Sequence, residues 1–173
     1  MRHSRTGIVI GLILLAAASR LLPHPPNFTP ILAMGLFSGA MLADRRLALA
    51  VPLGAMLASD LVLGLHATVV FVYAGVAASA LIGFLLQERA GGIRIVLAAL
   101  AASAAFFLIS NFGVWLLSGL YPRDPAGLLS CYAMAVPFFH YTLLGTLLCT
   151  ALLFGSARLL RLPAPRDRLL TAE

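Results

Sequence analysis

Six apolar runs divide the chain: residues 7–22, 30–43, 47–65, 67–86, 95–120 and 137–160. Most of the charge lies in the short segments between them and in the two terminal stretches. A helix crosses the hydrocarbon core of a bilayer with about 20 apolar residues, so runs of this length read as membrane spans. The second run is short for a span and is expected to be extended by its flanks. Backbone N–H and C=O groups in lipid must bond within their own segment, so each run is expected to be a helix. The expected fold class is all-α: a polytopic bundle of six transmembrane helices forming one domain, residues 1–162. A Pro- and Arg-rich tail, residues 163–173, is expected to be disordered.

The arginines orient this bundle. All 12 basic residues are Arg. With a cytoplasmic N-terminus, the inner segments hold Arg2, Arg5, Arg45, Arg46, Arg89, Arg94, Arg158, Arg161, Arg166 and Arg168, and the outer segments only Arg20 and Arg123. Positive residues favour the cytoplasmic side, which predicts both termini inside. Residues 1–22 also have the outline of a signal peptide, with Arg2 and Arg5, an apolar core and Ala16–Ala18. Its removal would leave five spans in the same orientation. Retention is the expectation, because the apolar run continues through Leu21 and Leu22.

Composition agrees with the pattern: 61% of residues are hydrophobic and 10% charged, against roughly 45–50% and about 25% in soluble domains. The spans leave no room in this chain for a soluble nucleotide-binding domain, so an ATPase, if needed, would be a separate partner. The net charge of +6 is accounted for by topology, and nucleic acid is not an expected partner; the lipid bilayer is. Cys131 reads as loop and Cys149 as deep in the last run, so a disulfide between them is not expected. Small residues recur at four-residue spacing, as in Gly35 and Gly39, or Gly75, Ser79 and Gly83, which lets helix backbones approach closely. Packing within the bundle is the simpler reading; docking onto a membrane partner is the other.

The chemically distinctive side chains fall on the outer side. Residues 20–30 read Arg-Leu-Leu-Pro-His-Pro-Pro-Asn-Phe-Thr-Pro, and the prolines stiffen the segment and remove backbone donors. Arg20, His24 and Asn27 belong to it. Asp60 is the one acidic residue well inside a run, six positions before His66. An intramembrane carboxylate is costly and marks either a functional site or a structural ion pair with Arg20 or a histidine. In the fifth run Asn111 and Trp115 share a helix face, with Phe107 one turn earlier. Asp124-Pro125 reads as an N-cap followed by proline at the first helical position. A short surface helix over residues 126–135 is expected there, carrying Cys131 and Tyr132, and Pro137 is expected to open the sixth span ahead of His140 and Tyr141. Thr142, Thr146 and Thr150 then make a mildly polar stripe.

No catalytic signature is present, neither H-E-x-x-H, G-x-S-x-G nor a Walker A loop. The expectation is a protein that is not an enzyme and needs no cofactor. His24, His66 and His140 lack the spacing of metal ligands, and no metal is expected.

Residues 20–30, Ser59-Asp60-Leu61, the run from Ser110 to Trp115, Cys131-Tyr132 and Pro137-Phe138-Phe139 resemble a small bacterial six-helix membrane protein family of unknown function labelled as transport proteins. More loosely, the layout is similar to the S components of energy-coupling-factor transporters. Those capture a vitamin or metal outside the cell and dock on a scaffold driven by ATPases. The resemblance implies a protein of the bacterial cytoplasmic (inner) membrane that captures a small polar, vitamin-like substrate for uptake, with a scaffold subunit and ATPases as partners. The substrate-binding residues expected are Arg20, His24, Asn27, Asp60, Asn111, Trp115, Tyr132 and His140. A structural or assembly protein without a substrate, and a stand-alone secondary carrier, are the alternatives.

Overall fold

The computed structural model describes residues 2–23, 25–87 and 91–162. His24, Arg89 and the tail from residue 163 lie outside the described residues. The described chain forms six α-helices: α1 Arg2–Ala18, α2 Ile31–Met41, α3 Arg45–Leu63, α4 Val69–Phe84, α5 Gly92–Leu117 and α6 Pro125–Leu159. A 3₁₀ turn, Ser19–Leu21, continues α1. The protein is all-α. Three helices, α3, α5 and α6, are long and apolar enough to cross a membrane, and α2 and α4 are shorter apolar helices. The outward faces of α1, α3, α5 and α6 carry large exposed side chains such as Leu15, Val62, Leu97, Leu108, Leu148 and Leu152. Apolar surface of this kind, spread over several helices, is suited to lipid rather than water.

Two helix starts follow the local code. The Asp44 carboxylate accepts from the backbone N–H groups of Arg46 and Leu47. The Asp124 carboxylate accepts from the Gly127 N–H at 2.7 Å, with Pro125 in the first turn. The separate surface helix expected over residues 126–135 is not seen. From Pro125 the helix runs unbroken for 35 residues to Leu159, with Pro137 inside it. Pro137 removes one backbone donor and crowds the preceding turn, a cost that neighbouring helices and local adjustment offset in membrane helices, so the residue read as a starter is carried within a longer helix. Cys131 is therefore helical, not in a loop. Cys131 and Cys149 are both free; they stand 18 positions apart on this one helix, about 27 Å along its axis.

The second apolar run departs furthest from expectation. Its helix is not extended by its flanks. α2 has 11 residues, every one buried, and spans about 16 Å, half the hydrocarbon core. Pro30 stands at one end and an extended Leu42 at the other. α2 packs against all five other helices, so it is the axis of the bundle. Phe37 meets Phe154 of α6 edge to face, with centroids 5.3 Å apart. Against α4 the backbones touch: a Cβ on Gly39 would lie 3.0 Å from the Gly83 Cα, and one on Gly83 would lie 3.0 Å from the Gly39 Cα. The small-residue spacing is thus used here for packing within the bundle.

Candidate functional site

The segment before α2 enters the bundle without forming a helix. Asn27 adopts φ 62°, a left-handed conformation that Asn tolerates better than most residues. Phe28 N–H donates to the Pro25 carbonyl at 3.1 Å, closing a turn. The chain then presses on α6: a Cβ added to Gly145 would lie 3.1 Å from the Thr29 nitrogen and 3.2 Å from the Phe28 Cα. Gly145 lies 13 positions before Arg158, about 20 Å along the helix. Irregular backbone at such a depth is tolerated where protein buries it or where it lines a cavity.

Arg20, at the end of the first helical segment, closes an ion pair across the bundle. Its Nη2 donates to Asp60 Oδ1 at 2.8 Å, with the two side chains 12% and 6% exposed. Its Nη1 donates to the Ser59 hydroxyl. The Tyr73 hydroxyl donates to Asp60 Oδ2 at 3.0 Å. Both carboxylate oxygens are thus occupied. This is the structural pairing that the sequence allowed for Asp60, and it fixes the guanidinium in one place.

Two cavities flank this pair. The larger, about 410 Å³, lies between α4, α5 and α6 and is lined by Asn27, His66, Thr68, Ser110, Asn111 and Thr142 together with Phe106, Phe107, Phe138 and Phe139. The smaller, about 160 Å³, is a recess lined by Arg20, Asn27, Thr29, Ile31, Leu32, His66 and Thr146. Asn27, His66, Val72, Phe106 and Thr142 line both. The larger volume falls within the roughly 300–1,000 Å³ of small-molecule sites.

Of the eight expected residues, four concentrate here and three do not. Arg20 and Asn27 line cavity walls, and Asp60 holds Arg20 from behind. Asn111 lines the larger cavity while its Nδ2 donates to the Phe107 carbonyl at 2.8 Å. The eighth, His24, lies outside the described residues. Trp115 instead donates from Nε1 to the Pro122 carbonyl at 2.9 Å, tying α5 to the loop before α6. Tyr132 donates its hydroxyl to the Leu108 carbonyl at 2.7 Å and packs on Phe107. His140 is exposed, with its ring 3.9 Å from that of Tyr141. These three lie off the walls of both cavities. The continuous α6 explains the last two, because its helical periodicity turns Cys131, Met134 and Ala135 to the larger cavity and leaves Tyr132 and His140 off its wall.

Sequence reasoning missed Tyr73, His66 and Thr146. Tyr73 had a usable signal, since a tyrosine inside an apolar run needs a partner for its hydroxyl. His66 Nδ1 lies 3.1 Å from the Thr68 hydroxyl, at the loop joining α3 to α4. Thr146 is 1% exposed and was indistinguishable in sequence from the other threonines of its stripe. Among the described residues, no three His, Cys, Asp or Glu side chains cluster as a metal site.

Residues 1–167 match the family described as "Family of unknown function (DUF6580)". The chain belongs to that family. No curated protein matches it, and no solved structure does.

Proposed function

We propose that this DUF6580 member is a membrane transport protein, the substrate-capturing subunit of an uptake system for a small polar molecule. The observation that carries this reading is the cavity of about 410 Å³, walled by polar groups and aromatic rings from α4, α5, α6 and the proline-rich segment. In the arginine-based orientation, with all six helices inserted and both termini cytoplasmic, this cavity lies in the outer half of the bundle and opens outward. Phenylalanine rings supply an apolar body for a ligand, and Asn27, Ser110, Asn111 and Thr142 supply hydrogen bonds that orient it. Arg20 serves as the cationic anchor, and Asp60 positions it. The chain has no ATPase of its own in this reading, so the energy comes from a scaffold subunit and ATPases. The protein is not an enzyme.

A stand-alone secondary carrier is the second reading, and α2 favours it. A half-length helix preceded by unwound backbone is the device by which carriers place helix ends at a substrate near the midplane. The test is purification from a native host in mild detergent, followed by native mass spectrometry and identification of co-purified chains. A retained small molecule with a scaffold and ATPases supports the subunit reading. A retained molecule with no partner supports the carrier. Neither one, from a folded sample, leaves a structural membrane protein, for which the paired Asp60 is already suited.

A further inference from the structure

We propose that the recess at the N-terminus of α2 is an anion subsite that takes the carboxylate of a small amphipathic ligand whose apolar body fills the larger cavity. This rests on the capture reading and names its substrate class.

The two ends of α2 are treated differently. At its C-terminus, Gln87 Nε2 donates to the Gly39 carbonyl at 2.7 Å and to the Leu42 carbonyl at 3.0 Å. At its N-terminus no side chain caps the helix, and Thr29, Ile31 and Leu32 of that end line the recess. The first turn of any α-helix has backbone N–H groups without intrahelical partners and a partial positive charge, a combination that favours anions. All 11 residues of α2 are buried, so water screens this end poorly.

Side chains on the recess repeat the signal. Arg20 has Nη1 and Nη2 engaged, but its buried Nε has no partner. The Thr146 hydroxyl is buried and also without a partner. Both residues line the recess. Ser103 and Thr150 have unpartnered hydroxyls too, but neither lines the recess, so the coincidence with a cation and a helix end is confined to Thr146.

The donor set also restricts the charge. Asp60 is turned to Arg20 and Tyr73, so it neutralises the guanidinium without occupying the recess. What remains is a partial positive charge and a group of donors, which suits a monoanion better than a dianionic phosphate. A volume of about 160 Å³ accommodates a carboxylate. The shared wall leads from there into the phenylalanine-lined cavity.

The test uses the full chain in phosphatidylcholine nanodiscs, titrated calorimetrically with benzoate, its neutral isostere benzamide and the cation benzylamine. Benzoate is expected to bind about tenfold tighter than benzamide or more, as charge-assisted hydrogen bonds exceed neutral ones. Thr146→Val should weaken benzoate more than benzamide and so lower their ratio, and Ala135→Trp, on the α6 wall of the larger cavity, should abolish both. Equal binding of benzoate and benzamide, a preference for benzylamine, or an unaltered ratio in Thr146→Val overturns the anion subsite. If Ala135→Trp still abolishes that binding, the capture reading survives. No binding of any probe by wild-type protein that elutes as a folded species overturns the subsite; the capture reading falls with it only if native mass spectrometry also finds no retained molecule.

Discussion

Asp60 shows how a single buried charge is made tolerable. Its two oxygens face Arg20 and Tyr73, and Ser59 takes a second guanidinium hydrogen. Removing one partner of a buried ion pair leaves the other uncompensated, at about 3–5 kcal/mol. Asp60→Asn is therefore expected to lower the thermal midpoint strongly in detergent. The double variant Arg20→Met with Asp60→Leu should recover most of that loss while losing ligand. Recovery measured by size-exclusion survival after heating checks the pair; a double variant as weak as the single would mean the charge does more than pair. Thr150 is the opposite case. Its hydroxyl is buried without a partner beside an apolar groove. An unsatisfied buried hydroxyl costs about 1–3 kcal/mol, so Thr150→Val is expected to raise the midpoint. A fall would show that the hydroxyl is bonded in the membrane.

At the scale of elements, α2 and the segment before it organise everything else. The proline residues cannot donate to a helix, so the chain stays irregular until Pro30, and the helix that follows is short. The left-handed Asn27 re-aims the chain inward. The helix then buries all its faces, which is possible only because α4 meets it across Gly39 and Gly83. Gly83→Leu is expected to abolish folding, because the clash is with backbone that has no room to retreat. Gly54→Leu, on α3, has nothing within 4 Å of a new Cβ and should be tolerated within about 0.5 kcal/mol. Expression level and monodispersity of the two variants distinguish a packing glycine from an incidental one. Gly145 is intermediate: substitution there pushes on Phe28 and Thr29, so it should shift ligand binding more than fold.

For the whole molecule the decisive property is orientation. The irregular segment, the ion pair and both cavities lie toward one end of the bundle, away from Arg45, Arg46, Arg94 and Arg158. The positive-inside rule predicts that this end faces outward. Single cysteines at positions 24, 66 and 124 should then react with an impermeant thiol reagent in intact cells. Cysteines at 45, 91 and 165 should react only after the membrane is opened. An exchange between the two sets would reverse the direction of the site and turn capture into export.

The one-dimensional pattern determined the helices, because lipid leaves the backbone no choice but internal hydrogen bonds. It also determined the cap at Asp124, which depends on neighbours within one turn. Arg20 and Asp60 stood out in sequence because charge inside an apolar run is costly and must be answered. Which partner answers is a matter of three dimensions: Tyr73 stands 13 positions from Asp60 and Arg20 stands 40 away. The same limit hid the role of Thr146, one threonine among several until α2 ended beside it. Trp115, Tyr132 and His140 looked like site residues by composition, but the unbroken α6 and a bond to Pro122 placed them elsewhere. Only the tertiary structure decided that α2 would be half a span, because a helix can stop at mid-depth when neighbours on every side satisfy and cover its ends. Those neighbours come from all along the chain.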